Sequence, residues 1–291
     1  MSTILKLGIP KGSLQNATIE LFRRSGWKIN VNGRSYFPAI NDPGISCALL
    51  RAQEMSRNVE NGTLDAGLTG KDWIAENNSD IHVVTDLVYS KASAKPARWV
   101  VAVANDSPIE RLEDLDGKTV STELVNYTKR FFREKGINVN VEFSWGATEA
   151  KVVAGLADAI VEITETESTI RAHNLRIIHE MMQTNTQLIA NHDAWKDPVK
   201  RAKMEQIALL LKGALLGERL VGIKMNVPGK NLDDIVKLLP SLNAPTVSPL
   251  YQSDWFAVET VVDSGVVRDL IPQLMAKGAE GIIEYPLNKV I

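Results

Sequence analysis

An apolar run from Ala157 to Ile163 breaks into Thr164-Glu165-Thr166-Glu167-Ser168-Thr169, and helical periodicity then resumes at Ile170, Ala172 and Leu175. Three threonines, one serine and two glutamates therefore stand where a strand hands over to a helix. Hydroxyls and exposed amides at such a junction form a cradle for phosphate. Glu162, at the strand end, is placed to accept hydrogen bonds from ribose hydroxyls. The same residue types also suit an acidic first turn of a helix, and two carboxylates repel a bound dianion. On residue chemistry alone the helix cap is the stronger reading.

A second candidate turn is Lys11-Gly12-Ser13, after the first expected strand: a glycine turn beside a cation admits an anionic ligand. In isolation an ordinary βα turn explains it equally well. Gly67-Leu68-Thr69-Gly70-Lys71-Asp72 is not a P-loop, because only two residues separate the glycines and Asp follows the lysine. No GxSxG nucleophile elbow and no GxGxxG dinucleotide fingerprint occurs.

Composition narrows the chemistry further. The 291 residues are 44% hydrophobic and 23% charged with a net charge of −2, close to an average soluble protein and without a basic field for nucleic acid. The length suits two or three domains. Cys47 is the only cysteine, so no intramolecular disulfide and no cysteine zinc site is expected. His82, His173, His179 and His192 show no metal-ligand spacing. The N-terminal MSTILKLGIPKGSL reads as a first strand and not a signal peptide. No apolar stretch reaches the roughly 18 residues that span a bilayer, and the chain is expected to be soluble and cytoplasmic, with no nucleic-acid or membrane partner.

The elements that must position these residues alternate between strand and helix, as in α/β folds. Strands are expected at 4–9, 47–50, 64–69, 81–89, 99–103, 118–122, 139–144, 176–180 and 186–191. Helices are expected at 14–25, 52–61, 109–115, 126–135 and 147–154. A further helix follows Gly70, with Asp72 as its cap, and a long one runs from Pro198 to a stop at Gly217. The remainder reads strand, helix, strand, strand, helix, strand, the ferredoxin-like βαββαβ order.

The whole chain resembles the ATP phosphoribosyltransferase family in its long form. The likeness is carried by "IPKGSL", "LDAGLTGKDW", "ARWVVAV", "TELVNYTKRFFREKGI", "GATEAKVVAGLADAIVEITETESTIRAHNLRII", "NAPTVSPL" and "GAEGIIEYPLNKVI". It implies two catalytic lobes like type II periplasmic binding proteins, with the active site in the cleft, and an ACT-like C-terminal domain that binds histidine. Lobe one would be 1–93 with 184–215, lobe two 94–183 and the regulatory domain 216–291. The implied reaction transfers phosphoribosyl from phosphoribosyl pyrophosphate to N1 of ATP, opening histidine biosynthesis under histidine feedback. Mg2+ is the implied clamp on pyrophosphate, and a homo-oligomer, dimer or hexamer, the implied assembly.

Residue by residue, the resemblance puts Glu162 on the ribose hydroxyls and Glu165, Thr166, Glu167, Ser168 and Thr169 around the 5′-phosphate. Glu167 stands where the family usually has glycine, and is expected to point to solvent and weaken binding. Lys11, Arg51, Lys71 and Arg98 would neutralise pyrophosphate or ATP phosphates. Glu123 and Glu149 would face the cleft and orient adenine or ribose; with Lys11 they are the catalytic candidates. Asn226, Thr246 and Gly281 fall where the family contacts histidine, with Asn226 replacing an acidic residue of some members. A bilobed binding protein without catalysis, and a degenerate transferase kept for histidine sensing, are the rival readings that turnover would separate.

Overall fold

The first strand, β1 (Leu5–Lys11), is buried on both faces from Leu7 to Pro10, with Leu5, Leu7 and Ile9 in the core. The computed structural model describes residues 4–33, 35–89, 96–240, 242 and 244–291. The expected lobe boundary at 93/94 lies outside the described residues. After β1 come α1 (Gln15–Ser25), a small ribbon of β2 (Ile29–Asn30) and β3 (Ala39–Ile40), and β4 (Ile45–Arg51). Next are α2 (Ala52–Glu60), β5 (Ala66–Gly70), α3 (Lys71–Asn77) and β6 (His82–Leu87).

A second series follows: β7 (Ala97–Ala104), β8 (Thr119–Thr122), α4 (Val125–Glu134), β9 (Asn140–Phe143), α5 (Thr148–Val153) and β10 (Ala159–Thr164). It closes with α6 (Ser168–Ala172) and β11 (Leu175–Thr184), and β12 (Thr186–Ala190), α7 (His192–Lys196) and α8 (Pro198–Arg219) come next.

Two five-stranded sheets result, ordered β4-β1-β5-β12-β6 and β9-β8-β10-β7-β11. In the first, β1 runs parallel to β4 and β5, while β12 is antiparallel to β5 and β6. The second repeats the plan, with β10 parallel to β8 and antiparallel to β7. The antiparallel strand is in each case the one that enters directly after the chain has come from the other sheet. This is the two-lobed α/β plan of periplasmic-binding-protein type. The apolar run of β7 follows from its place. Trp99, Val101 and Val103 pack on one side with Phe132 and Val120, while Ala102 packs on the other with Ile160 and Ile170. A strand buried on both faces cannot alternate.

Compact packing divides the chain into Met1–Arg23 with Trp27–Ala208, and Arg24–Gly26 with Leu209–Ile291. The second unit contains β13 (Leu220–Pro228), α9 (Leu232–Leu238), β14 (Thr246–Pro249), β15 (Trp255–Asp263), α10 (Ser264–Ala276) and β16 (Glu280–Pro286). Its antiparallel sheet has the order β14-β15-β13-β16, the ferredoxin-like arrangement. Ile223, Met225, Ile235, Val258, Leu270 and Leu274 form its core between sheet and helices.

Two expectations are corrected. Gly217 does not stop a helix, since α8 continues to Arg219. A Cβ on Gly217 would stand 3.0 Å from the Lys289 backbone, and one on Gly213 2.8 Å from Ile291. The Val290 amide donates to the Gly213 carbonyl at 3.0 Å. These glycines are there for close approach of the C-terminal segment. The expected helix at 109–115 shrinks to a 3-10 turn, Leu112–Leu115. Asp114 accepts from the Glu110 and Arg111 amides, at 2.9 and 3.1 Å, and so competes with helix hydrogen bonding there.

Candidate active site

The carboxyl ends of β1, β4 and β5 in one sheet and of β10 in the other open on a shared cavity of about 480 Å3. Crevices at strand carboxyl ends are where open α/β sheets bind ligands. The strand-to-helix turn after β10 forms one wall through Thr164, Glu165, Thr166, Ser168 and Thr169. Within it the Glu167 amide donates to Thr164 Oγ1 at 2.8 Å, and Thr166 Oγ1 pairs with Ser168 Oγ at 3.1 Å. Lys11, Gly12, Ser13 and Arg51 also line the cavity. Gly12 has φ +110°, a turn favouring glycine. Lys11 Nζ lies 4.1 Å from the centre of the Tyr36 ring, a cation–π contact that leaves its charge unneutralised.

Carboxylates supply the opposite sign. Glu123 lines the cavity, with its carboxyl raised by burial and then by Asp72, against the pull of Arg51. Burial first, and then Glu149 and Glu123, push Glu162 up to about 7, against hydrogen bonds from the Ile163 amide and the Thr148 side chain. The cavity thus joins a hydroxyl loop and two cations to Glu123, an acid whose charge is held back by burial and by Asp72, with Glu162 shifted in the same direction nearby.

Asp72 is not the cap expected of it. Gly70 occupies the N-cap of α3, and Asp72 is buried in the first turn. Its Oδ2 accepts from Trp99 Nε1 at 2.8 Å and its Oδ1 from the Trp73 amide at 2.9 Å. Its own amide donates to Thr184 Oγ1 at 3.2 Å, and the Lys71 amide donates to the Asn185 carbonyl at 3.0 Å. Asp72 therefore ties α3 to β7 and to the return crossing between the sheets. Burial raises its carboxyl, and these donors oppose that. Tyr89, half-buried, pairs with Thr18 at 2.7 Å, and its hydroxyl is pushed up to about 12 by burial. Sequence reading missed Asp72, Trp99 and Tyr89 as cavity residues. The available signal was a buried indole, whose N–H needs an acceptor.

The structure brings Lys11, Arg51, Glu123, Glu165, Thr166, Ser168 and Thr169 around one cavity. Lys71, Arg98, Glu149, Glu162 and Glu167 are not among its lining residues. Lys71 acts electrostatically on Asp86. Glu149 and Glu123 act electrostatically on Glu162. Glu167 does not project freely into solvent: it is ion-paired to Arg98 and, at 2.8 Å, to Arg171. Arg98 is also held by Glu180 at 3.1 Å.

A neighbouring hollow of about 390 Å3 shares Arg51, Gln53, Trp73 and Glu123 with the cavity and adds Phe143 and Trp145. Both aromatics are exposed, and the Arg51 guanidinium lies 5.6 Å from the Trp145 ring centre.

In the second unit, Asn226 and Gly281 are neighbours: a Cβ on Gly281, whose φ is +59°, would stand 3.6 Å from Asn226 Nδ2. Thr246 lies across β15, in register with Glu259, while Asn226 is in register with Ala257. Two strand spacings and a two-residue offset put Thr246 about 12 Å from Asn226 along the same exposed face.

Among the described residues no group of three or more His, Cys, Asp or Glu side chains is arranged to hold a metal ion. No described helix is long and apolar enough to cross a membrane.

The sequence profile described as ATP phosphoribosyltransferase matches residues 51–213, and that described as HisG, C-terminal domain, matches residues 218–289. An ATP phosphoribosyltransferase of Desulfosudis oleivorans is 86% identical over 291 residues, covering all of both chains. One of Desulfatibacillum aliphaticivorans is 72% identical, again over the full length of both. A solved structure of the ATP phosphoribosyl transferase (HisG:HisZ) complex from Thermotoga maritima superposes with a TM-score of 0.62 at 24% identity. It covers 72% of this chain and 98% of that one.

Proposed function

The chain belongs to the ATP phosphoribosyltransferase family, and on that premise we propose that the cavity binds phosphoribosyl pyrophosphate along the Thr164–Thr169 loop. The reaction transfers phosphoribosyl to N1 of ATP and releases pyrophosphate, the first step of histidine biosynthesis. The observation that carries the site reading is the convergence of that loop, Lys11, Arg51 and Glu123 on one cavity.

In this reading the loop hydroxyls and amides take the 5′-phosphate, and Glu162 holds the ribose hydroxyls. Lys11 and Arg51 face the pyrophosphate, whose magnesium arrives as part of the substrate. The aromatic hollow beside Trp145 and Phe143 suits the adenine ring. Arg51 and Glu123 border both spaces, so N1 would approach C1 of the ribose where the two meet.

The N1 lone pair forms the new bond to C1 as the C1–O bond breaks, and pyrophosphate leaves with the electron pair. Positive charge developing on the ribosyl ring is offset by Glu123, together with Glu162 and Glu149, which interact electrostatically. Lys71 and Arg98 have a weaker claim on phosphate, since Lys71 sits by Asp86 and Arg98 is engaged by two carboxylates.

Lobe one is taken as 1–93 with 184–215, lobe two as 94–183 and the regulatory domain as 216–291. Histidine is assigned to the Asn226 and Gly281 corner, with Thr246 on the same exposed face, as a feedback inhibitor acting in a cytoplasmic homo-oligomer. The test is to mix the protein with ATP, phosphoribosyl pyrophosphate, Mg2+ and pyrophosphatase, and follow adenine absorbance. A rise suppressed by histidine supports both assignments; a rise indifferent to histidine removes the regulatory one; no rise overturns the catalytic site.

A further inference from the structure

Glu167 sits at the N-cap of α6 with φ +60°, a left-handed backbone that a side-chain-bearing residue adopts only at a cost. Something must over-determine that conformation. Its carboxylate is gripped on one side by Arg98 and on the other by Arg171. Arg98 lies on β7, directly opposite Thr164 of β10, the residue that opens the loop. From there its second nitrogen reaches Glu180 of β11 at 3.1 Å. Since β7 lies between β10 and β11, one guanidinium braces the loop against two strands. Arg98 and Glu167 side chains are 31% and 28% exposed, whereas Arg171 is 74% exposed and, among the described residues, forms its ion pair within one helical turn. Residues on both sides of Glu167 line the cavity, but Glu167 does not.

We propose that Glu167 is a positioning residue: its ion pair with Arg98 locks the left-handed turn that presents Thr164, Thr166, Ser168 and Thr169 to the phosphoribosyl group. This rests on the reading of the cavity as the phosphoribosyl pyrophosphate site. It also reverses the expectation from sequence, in which Glu167 only weakens binding. A charge that would repel phosphate is turned away and neutralised, and the same contact gives the loop its shape.

The test is a double-mutant cycle in the full-length protein with Glu167→Gln and Arg98→Gln, each checked for unchanged thermal unfolding. Each single variant is expected to raise KM for phosphoribosyl pyrophosphate about five- to tenfold, with KM for ATP within about twofold. The double variant is expected to be no worse than the weaker single one. Arg171→Gln, which removes only the exposed intrahelical partner, is expected to change KM less than about twofold. An unchanged KM in both single variants, or effects that multiply in the double one, overturns the brace. Calorimetric titration of the unmodified protein with phosphoribosyl pyrophosphate and Mg2+ separates this from the underlying reading: no binding there refutes the site itself, while binding with an unaltered KM in the variants refutes only the role of Glu167.

Discussion

Glu162 offers the sharpest quantitative test of the site. Its carboxyl is held at about 7 by burial and by the neighbouring Glu149 and Glu123. Because the folded value lies above the unfolded one, the proton stabilises the native state. That contribution is complete below the unfolded value and is lost as pH rises through 7. At about 1.4 kcal/mol per pH unit of difference, the ionised side chain costs the fold about 3 kcal/mol at alkaline pH. Substrate binding has the opposite sign, since a carboxylate accepts ribose hydroxyls better than a neutral acid. A group titrating at 7 is about 9% ionised at pH 6 and about 91% at pH 8, a tenfold change. Phosphate groups of the substrate titrate nearby, so the quantity to measure is kcat/KM for phosphoribosyl pyrophosphate relative to Glu162→Gln. That ratio should rise about tenfold between pH 6 and pH 8, and Glu162→Gln should be the more stable protein above pH 7. A ratio flat from pH 5.5 to 8.5 refutes the role of Glu162, whatever happens to stability.

Asp72→Ala should destabilise the protein by about 1–3 kcal/mol in urea unfolding, because it strips the acceptor from the buried Trp99 indole, whereas Asp72→Asn should cost less than half as much. Gly217→Val should lower stability by about 1–3 kcal/mol, since its side chain would collide with the Lys289 backbone; thermal unfolding that matches the unsubstituted protein would contradict this. Asn226→Asp should lower the histidine concentration for half inhibition by about tenfold, since a carboxylate holds the ligand's ammonium better than an amide; inhibition curves read this directly.

Short-range pattern made most of the strands and both sheet-forming series legible, because β7 and β10 are buried on both faces and their apolar runs have no helical period. The βαββαβ order of the last unit was equally readable from alternating periods. What escaped depends on contacts distant in sequence. Gly217 looks like a stop because the segment that packs on it lies more than seventy residues later. Asp72 looks like a cap because its true partners are Trp99 and Thr184. For Glu167 the type of residue suggested repulsion, and only the placement of Arg98 on the adjacent strand explains why the charge is tolerated.

The two crossings of the chain also set the order in which the polypeptide can take shape as it emerges from the ribosome. The sheet of β9-β8-β10-β7-β11 is drawn from one continuous stretch and needs nothing later than Thr184. The other is begun first but left open: among the described strands β6 pairs with β12 alone, and β12 is made about a hundred residues after it. Until then β5 presents a bare edge, and β6 has no sheet to join. The nascent chain must therefore carry an unfinished N-terminal half while the later-made half completes itself, which makes this interval the one most exposed to misassembly and to chaperone capture.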